Sequence, residues 1–93
     1  MGELVRARIR VRGTVQGVGF RYFVRNTAAS LGLDGTVRNR SDGTVEVVAE
    51  GERGLVEVLI RELRTGPRYA NVDGLDIEWE EPRKDFSGFD YTF

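Results

Sequence analysis

Two glycines two residues apart, Gly17 and Gly19, stand just ahead of an arginine, Arg21, in a chain that has neither cysteine nor histidine. Glycines so spaced let a backbone turn sharply with its N–H groups pointing inward, which makes a nest for an anion. If a helix starts there, its free N–H groups add to the positive potential. The same pattern also suits an ordinary tight connection. Arg21 adds weight, because a cation in the first turn of a helix is disfavoured by ~0.3–1 kcal/mol unless something negative is bound. Its guanidinium offers a fork that matches phosphate oxygens, although an arginine pointing into solvent is the simpler alternative. Asn39 is the second unusual group. It shares strand parity with Val37 and so faces inward, where a buried or half-buried amide needs partners. It either holds a water or a phosphate oxygen, or bonds loop backbone at a strand end.

The composition narrows the chemistry that these groups could serve. Without cysteine there can be no disulfide, thiolate nucleophile or thiolate metal site. Without histidine the commonest general base and metal ligand are also missing. Fourteen basic residues, all arginine except Lys84, face fifteen acidic ones, for a net charge of −1. That balance argues against a strongly basic nucleic-acid binder. No apolar run approaches ~18 residues and no signal-peptide core opens the chain, so a soluble, cytoplasmic protein is expected. Ninety-three residues suffice for one domain, 1–93, with one core and a small surface site.

The elements that must position the candidate groups follow from hydrophobic periodicity. Glu3 to Gly13 alternates strictly, with Val5, Ala7, Ile9 and Val11 on one side and Arg6, Arg8, Arg10 and Arg12 on the other, which predicts a half-buried strand. After the Gly13–Gly19 connector, Phe20, Phe23, Val24, Thr27, Ala28 and Leu31 share one helical face, and Gly32 suits the stop. Thr36 to Arg40 and Thr44 to Glu50 read as a hairpin around Ser41-Asp42-Gly43. A second helix opens at Gly51, carries Glu52 in its first turn and Arg61 and Arg64 in its last, and ends at Gly66-Pro67. Val72 to Glu80 is a fourth strand, and Phe89, Tyr91 and Phe93 alternate as a short fifth.

This order predicts an α+β, ferredoxin-like βαββαβ sandwich. Two helices lie on one face of an antiparallel sheet, the other face meets solvent, and a short C-terminal fifth strand is added. The first strand then lies between the third and fourth. Its arginine stripe faces Glu46 and Glu50 on one side and Asp76, Glu78 and Glu80 on the other, as a cross-strand charge ladder worth only ~0.2–1 kcal/mol per pair. Asp42, placed before Gly43, reads as a turn residue, and Gln16 as a brace for its loop. The acidic residues from Asp73 to Glu81 lack ligand spacing for a metal. Tyr22 and Phe23 are expected in the core or at its rim, and Phe86, Phe89, Tyr91 and Phe93 in core and edge packing.

The spaced residues Gly13-x-Val15-Gln16-Gly17-Val18-Gly19-Phe20-Arg21 and Gly35-x-Val37-x-Asn39-x-x-Asp42-Gly43-x-Val45-Glu46 together resemble both signatures of the acylphosphatases, and the similarity runs the length of the chain. The resemblance implies hydrolysis of the carboxyl–phosphate anhydride of acyl phosphates to a carboxylate and inorganic phosphate. It further implies that the loop of Val15, Gln16, Gly17, Val18, Gly19 and Phe20 cradles the phosphate through backbone N–H groups. Arg21 would bind the phosphate oxygens and Asn39 would orient the attacking water. Neither a metal nor any other cofactor is implied. The partner would be a small-molecule acyl phosphate, with no nucleic acid or membrane, and the protein would act as a monomer.

The residue types suit that chemistry. A carboxylate leaves without a general acid, and phosphoryl transfer rests largely on positioning and charge stabilisation. Rival readings are a role in handling carbamoyl phosphate, a ligand-sensing module without catalysis, and an RNA-binding module. Similar domains open hydrogenase-maturation proteins, whereas this chain is expected to stand alone. An RNA-binding sheet of this kind would display aromatics on its central strands, where this one displays Arg and Glu.

Overall fold

The computed structural model describes residues 2–93. Its elements are β1 (Leu4–Thr14), α1 (Phe20–Ser30), β2 (Asp34–Asn39), β3 (Val45–Glu52), α2 (Arg53–Thr65), β4 (Asn71–Glu80) and β5 (Phe89–Tyr91). They form the expected ferredoxin-like α+β fold, with one five-stranded sheet in the order β4-β1-β3-β2-β5. Among the described residues, no helix is long and apolar enough to cross a membrane.

The parity read from β1 carries the fold. Val5, Ala7, Ile9 and Val11 are buried and join Val37, Val45, Val47 and Ala49 of the neighbouring strands beneath the two helices. Phe20, Val24 and Ala28 of α1 and Val56, Leu59, Ile60 and Leu63 of α2 close the layer from above. Each fully buried aliphatic side chain contributes roughly 1.5–3 kcal/mol through the water it sheds, so this face determines which way the sheet turns. At the end of α1 the Leu33 N–H donates to Ala28 O at 3.0 Å and the Gly32 N–H to Ala29 O at 3.0 Å. This paired return satisfies the last carbonyls at the predicted stop.

Three expectations need correction. The sheet is mixed, because β5 pairs parallel with β2 through Gly35–Phe89 and Val37–Tyr91. β4 ends at the end of the sheet where β2 begins, so a chain that crosses there enters the far edge running with β2. The second helix starts at Arg53, and Glu52 precedes it as its cap residue with no side-chain capping bond. β3 runs on through Gly51 and Glu52 because Val5 and Leu4 of β1 are there to pair with them, and the Arg53 N–H donates to Glu3 O at 2.8 Å.

The third correction concerns the outer face. The arginine stripe lies where parity put it, with Arg6 opposite Glu50 and Glu80, Arg8 opposite Glu78, and Arg10 opposite Glu46 and Asp76. Arg10, Arg12, Asp76 and Glu78 are exposed, with Arg12 paired to Asp76 at 3.0 Å, whereas Glu46 is buried and ion-paired to Arg8, Arg38 and Arg40. One end of the ladder is covered. The segment 81–88 straps over the sheet on its way to β5, and Arg6 and Glu50 beneath it are only 3% and 4% exposed. Glu50 accepts bonds from Arg6 Nε at 2.9 Å, the Arg83 N–H at 2.9 Å and the Lys84 N–H at 2.8 Å. Arg6 also bonds Asp85 and lies 4.4 Å from the centroid of the Phe86 ring. Burial pushes the Glu50 carboxyl up, but the hydrogen bonds from Arg83, Arg6 and Lys84 outweigh it and hold it below its ordinary range.

Candidate active site

The site begins where β1 ends. The register between β1 and β4 shifts between Arg12 and Gly13, and Gly13 takes a φ of +129°. A Cβ there would lie 2.1 Å from Asn71 O, so glycine is required for this bulge. Val15 then anchors the chain by burying its side chain in the core. Beyond it Gly17 and Gly19 adopt φ values of +73° and +79°, and a Cβ on either would meet nothing within 4 Å. Their role is therefore conformational, and the space above them is open.

Gly19 is also the cap residue of α1, with no side-chain capping bond, and the first helical bond runs from the Phe23 N–H to Gly19 O at 3.1 Å. The N–H groups of Gly19, Phe20, Arg21 and Tyr22 consequently have no partner within the helix. No acidic residue occupies the first turn to neutralise them. These amides and the helix dipole give this corner a positive potential.

A cleft of about 380 Å³ opens here, lined by Val15, Gly17, Gly19, Phe20, Arg21, Tyr22, Asn39, Tyr91 and Phe93. Arg21 carries the one charged side chain in that lining. No ion pair to a carboxylate engages it among the described residues. Its guanidinium instead lies 5.9 Å from the centroid of the Tyr91 ring, which Arg25 also approaches at 5.6 Å. An unpaired guanidinium beside uncapped helix amides, with no acidic side chain in the wall, suits a small polyanion with several oxygens.

The structure brings most of the nominated residues together. Arg21, Asn39, Val15, Gly17, Gly19 and Phe20 meet in the cleft, whereas Gln16 and Val18 lie outside its lining. Val18 packs against the core. Gln16 turns away and donates from Nε2 to Arg40 O at 2.8 Å and Thr44 O at 2.9 Å. Asn39 keeps its parity with Val37, but it is exposed, not buried or half-buried as its parity suggested. It is the last residue of β2, and what stands beside it is the open glycine loop and not a helix flank. Asp42 is a turn residue. Its carboxylate accepts bonds from the Thr44 hydroxyl at 2.6 Å and the Thr44 N–H at 3.0 Å, which hold it below its ordinary range. It is absent from the cleft lining.

The aromatic rim is what sequence reasoning missed. Tyr22, Tyr91 and Phe93 are all exposed and line the cleft, where Tyr22 was expected in the core or at its rim and the other two in core and edge packing. The signal was the shared parity of Phe89, Tyr91 and Phe93, which becomes informative only once β5 is known to lie beside β2.

A family model described as Acylphosphatase matches residues 7–91. The chain belongs to the acylphosphatase family. An acylphosphatase of Anaeromyxobacter dehalogenans (strain 2CP-C) is 46% identical over 93 residues, covering 100% of both chains. The crystal structure of acylphosphatase from Bacillus subtilis superposes with a TM-score of 0.92 at 34% identity, covering 96% of this chain and 99% of that one. Full-length HypF, crystallised in a phosphate- and nucleotide-bound form, contains a similar unit. Its TM-score is 0.89 at 32% identity, covering 100% of this chain and 12% of that one. Membership of the acylphosphatases and the shared fold support hydrolysis of acyl phosphates as the activity.

Proposed function

We propose that the cleft hydrolyses small acyl phosphates, with the phosphate held by the backbone of the Val15–Phe20 loop and by Arg21, and the attacking water oriented by Asn39. The observation that carries this reading is the meeting of three features in one cleft: the uncapped N-terminus of α1, an arginine without a carboxylate partner, and an exposed amide at the end of β2.

The water oxygen attacks phosphorus, and the bond from phosphorus to the bridging oxygen breaks. The carboxylate leaves with that oxygen; one of the water's protons stays on the attacking oxygen and the other passes to a phosphate oxygen, which yields dihydrogen phosphate. A carboxylic acid titrates near ~4, so its anion leaves at neutral pH without a general acid. The charge that develops on the transferring phosphoryl group spreads over its outer oxygens, where backbone N–H groups and a guanidinium stabilise it without reorganising. Asn39 offers both a donor and acceptors, enough to hold a water in line. No step calls for a metal ion. The roles assigned here all fall on residues of a single 1–93 domain, proposed to act as a monomer.

The test is phosphate release from acetyl or benzoyl phosphate in the presence of EDTA, for the unaltered chain, Arg21→Ala and Asn39→Ala. Activity is expected in the first and a loss of at least about a hundredfold in each variant, as for a transition-state contact of ~3 kcal/mol. A folded, inactive parent would overturn the reading. Full activity in Asn39→Ala would remove its assigned role.

A further inference from the structure

The sheet order poses a positioning problem. The glycine loop leaves the end of β1, Asn39 ends β2, and β3 lies between these strands. With neighbouring strands ~4.8 Å apart, the two strand ends stand roughly 10 Å from each other and share no ladder bond. Gln16 bridges the gap. Its Nε2 donates to the carbonyls of Arg40 and Thr44, residues 24 and 28 positions further along the chain. These carbonyls flank the mouth of the β2–β3 turn, where the Arg40 N–H donates to Thr44 O at 2.9 Å and the Gly43 N–H to Arg40 O at 3.2 Å. Each carbonyl has two lone pairs and so accommodates both bonds. Because both partners only accept, the amide has one workable orientation, with its NH₂ toward the turn.

We infer that Gln16 is a positioning residue for the reaction: it fixes the phosphate-holding loop against the turn that follows Asn39, and so sets where the oriented water stands relative to phosphorus. This rests on the role proposed for Asn39. The phosphate-holding groups, namely the α1 amides and Arg21, lie on the loop side of the tie, and Asn39 lies on the other. Cutting the tie therefore leaves phosphate binding in place and lets the water drift from line. A misplacement on the order of 1 Å costs as much as ~100-fold in rate.

The experiment is a double-mutant cycle on kcat for acetyl phosphate, using Gln16→Ala and Asn39→Ala singly and together, with Ki for inorganic phosphate measured on each. Gln16→Ala is expected to lower kcat about ten- to a hundredfold while Ki for phosphate stays within about threefold. In the Asn39→Ala background it should cost less than about twofold more, since Gln16 acts through Asn39. Equal losses in both backgrounds would overturn the inference, as would an unchanged kcat or a Ki raised tenfold with kcat retained. Gln16→Met, which keeps the side-chain length without a donor, repeats the test if the alanine variant melts early. The parent role is tested separately, because Asn39→Ala alone must lose activity whatever Gln16 does.

Discussion

Glu50→Ala probes the covered end of the outer face. The substitution leaves Arg6 buried beside a missing partner and removes the acceptor for the N–H groups of Arg83 and Lys84. Breaking a buried ion pair from one side costs ~3–5 kcal/mol. The low end applies here. Arg6 keeps Asp85 and the Phe86 ring, and the strap of residues 81–88 is a single chain thick, so water can reach the orphaned groups. A loss of about 3 kcal/mol in a domain that holds only ~5–15 kcal/mol in total should lower the midpoint of thermal unfolding by about 12–24 °C. Far-UV circular dichroism melts at pH 7, paired with urea titration, measure both quantities. The effect also depends on pH. The Glu50 carboxyl titrates lower in the folded state than in the unfolded one. Its contribution is therefore complete above the unfolded-state value of about 4.3 and disappears as pH falls through the lower folded-state value. The gap between parent and variant should shrink over that acid range. A double change, Arg6→Met with Glu50→Leu, should recover part of the loss by removing the stranded charge. A Glu50→Ala melt within about 1 kcal/mol of the parent would refute the argument, since it would mean that the pair is effectively solvated.

Three further outcomes follow from the cleft. Gly19→Ala forces a methyl-bearing residue into the left-handed region and should cost ~1–2 kcal/mol in a denaturant melt. Activity should fall at least tenfold because the loop amides turn; an unchanged rate would mean that they do not hold the phosphate. Asp42→Asn should leave kcat within about threefold and the pH–rate profile unaltered, since the carboxylate is bound to Thr44 outside the cleft. Abolished activity in a folded chain would instead make Asp42 the proton acceptor. Tyr91→Ala and Phe93→Ala should lower kcat/KM for benzoyl phosphate roughly tenfold more than for acetyl phosphate, through lost apolar contact with the acyl group. Equal losses on both substrates would take the aromatic rim out of acyl recognition.

Local patterns were legible and long-range placements were not. The alternation from Val5 to Arg12 placed both the core face and the arginine stripe, because parity in a strand is set residue by residue. The glycine spacing, Arg21 and Asn39 pointed to residues that line one cleft, since each is an odd choice for its local position. The strap of residues 81–88 has no period at all, and its covering of Arg6 and Glu50 depends on a crossing that no local spacing encodes. The burial of Asn39 was misjudged because parity names a face but does not say whether anything covers that face at a strand's end. Gln16 read as a brace from its type, and its amide does bond two carbonyls of the β2–β3 turn. Val18 could not be separated from its cleft-lining neighbours by residue type, because the φ values of Gly17 and Gly19 on either side decide which way it points.

The central claim is that a water attacks phosphorus in this cleft while the acyl carbon is left untouched. Hydrolysis of acetyl phosphate by the protein in ¹⁸O-labelled water, followed by mass spectrometry of both products, tests it most directly. The account predicts label in the inorganic phosphate and none in the acetate beyond the enzyme-free control. Label in the acetate would mean attack at the carbonyl carbon and would contradict it.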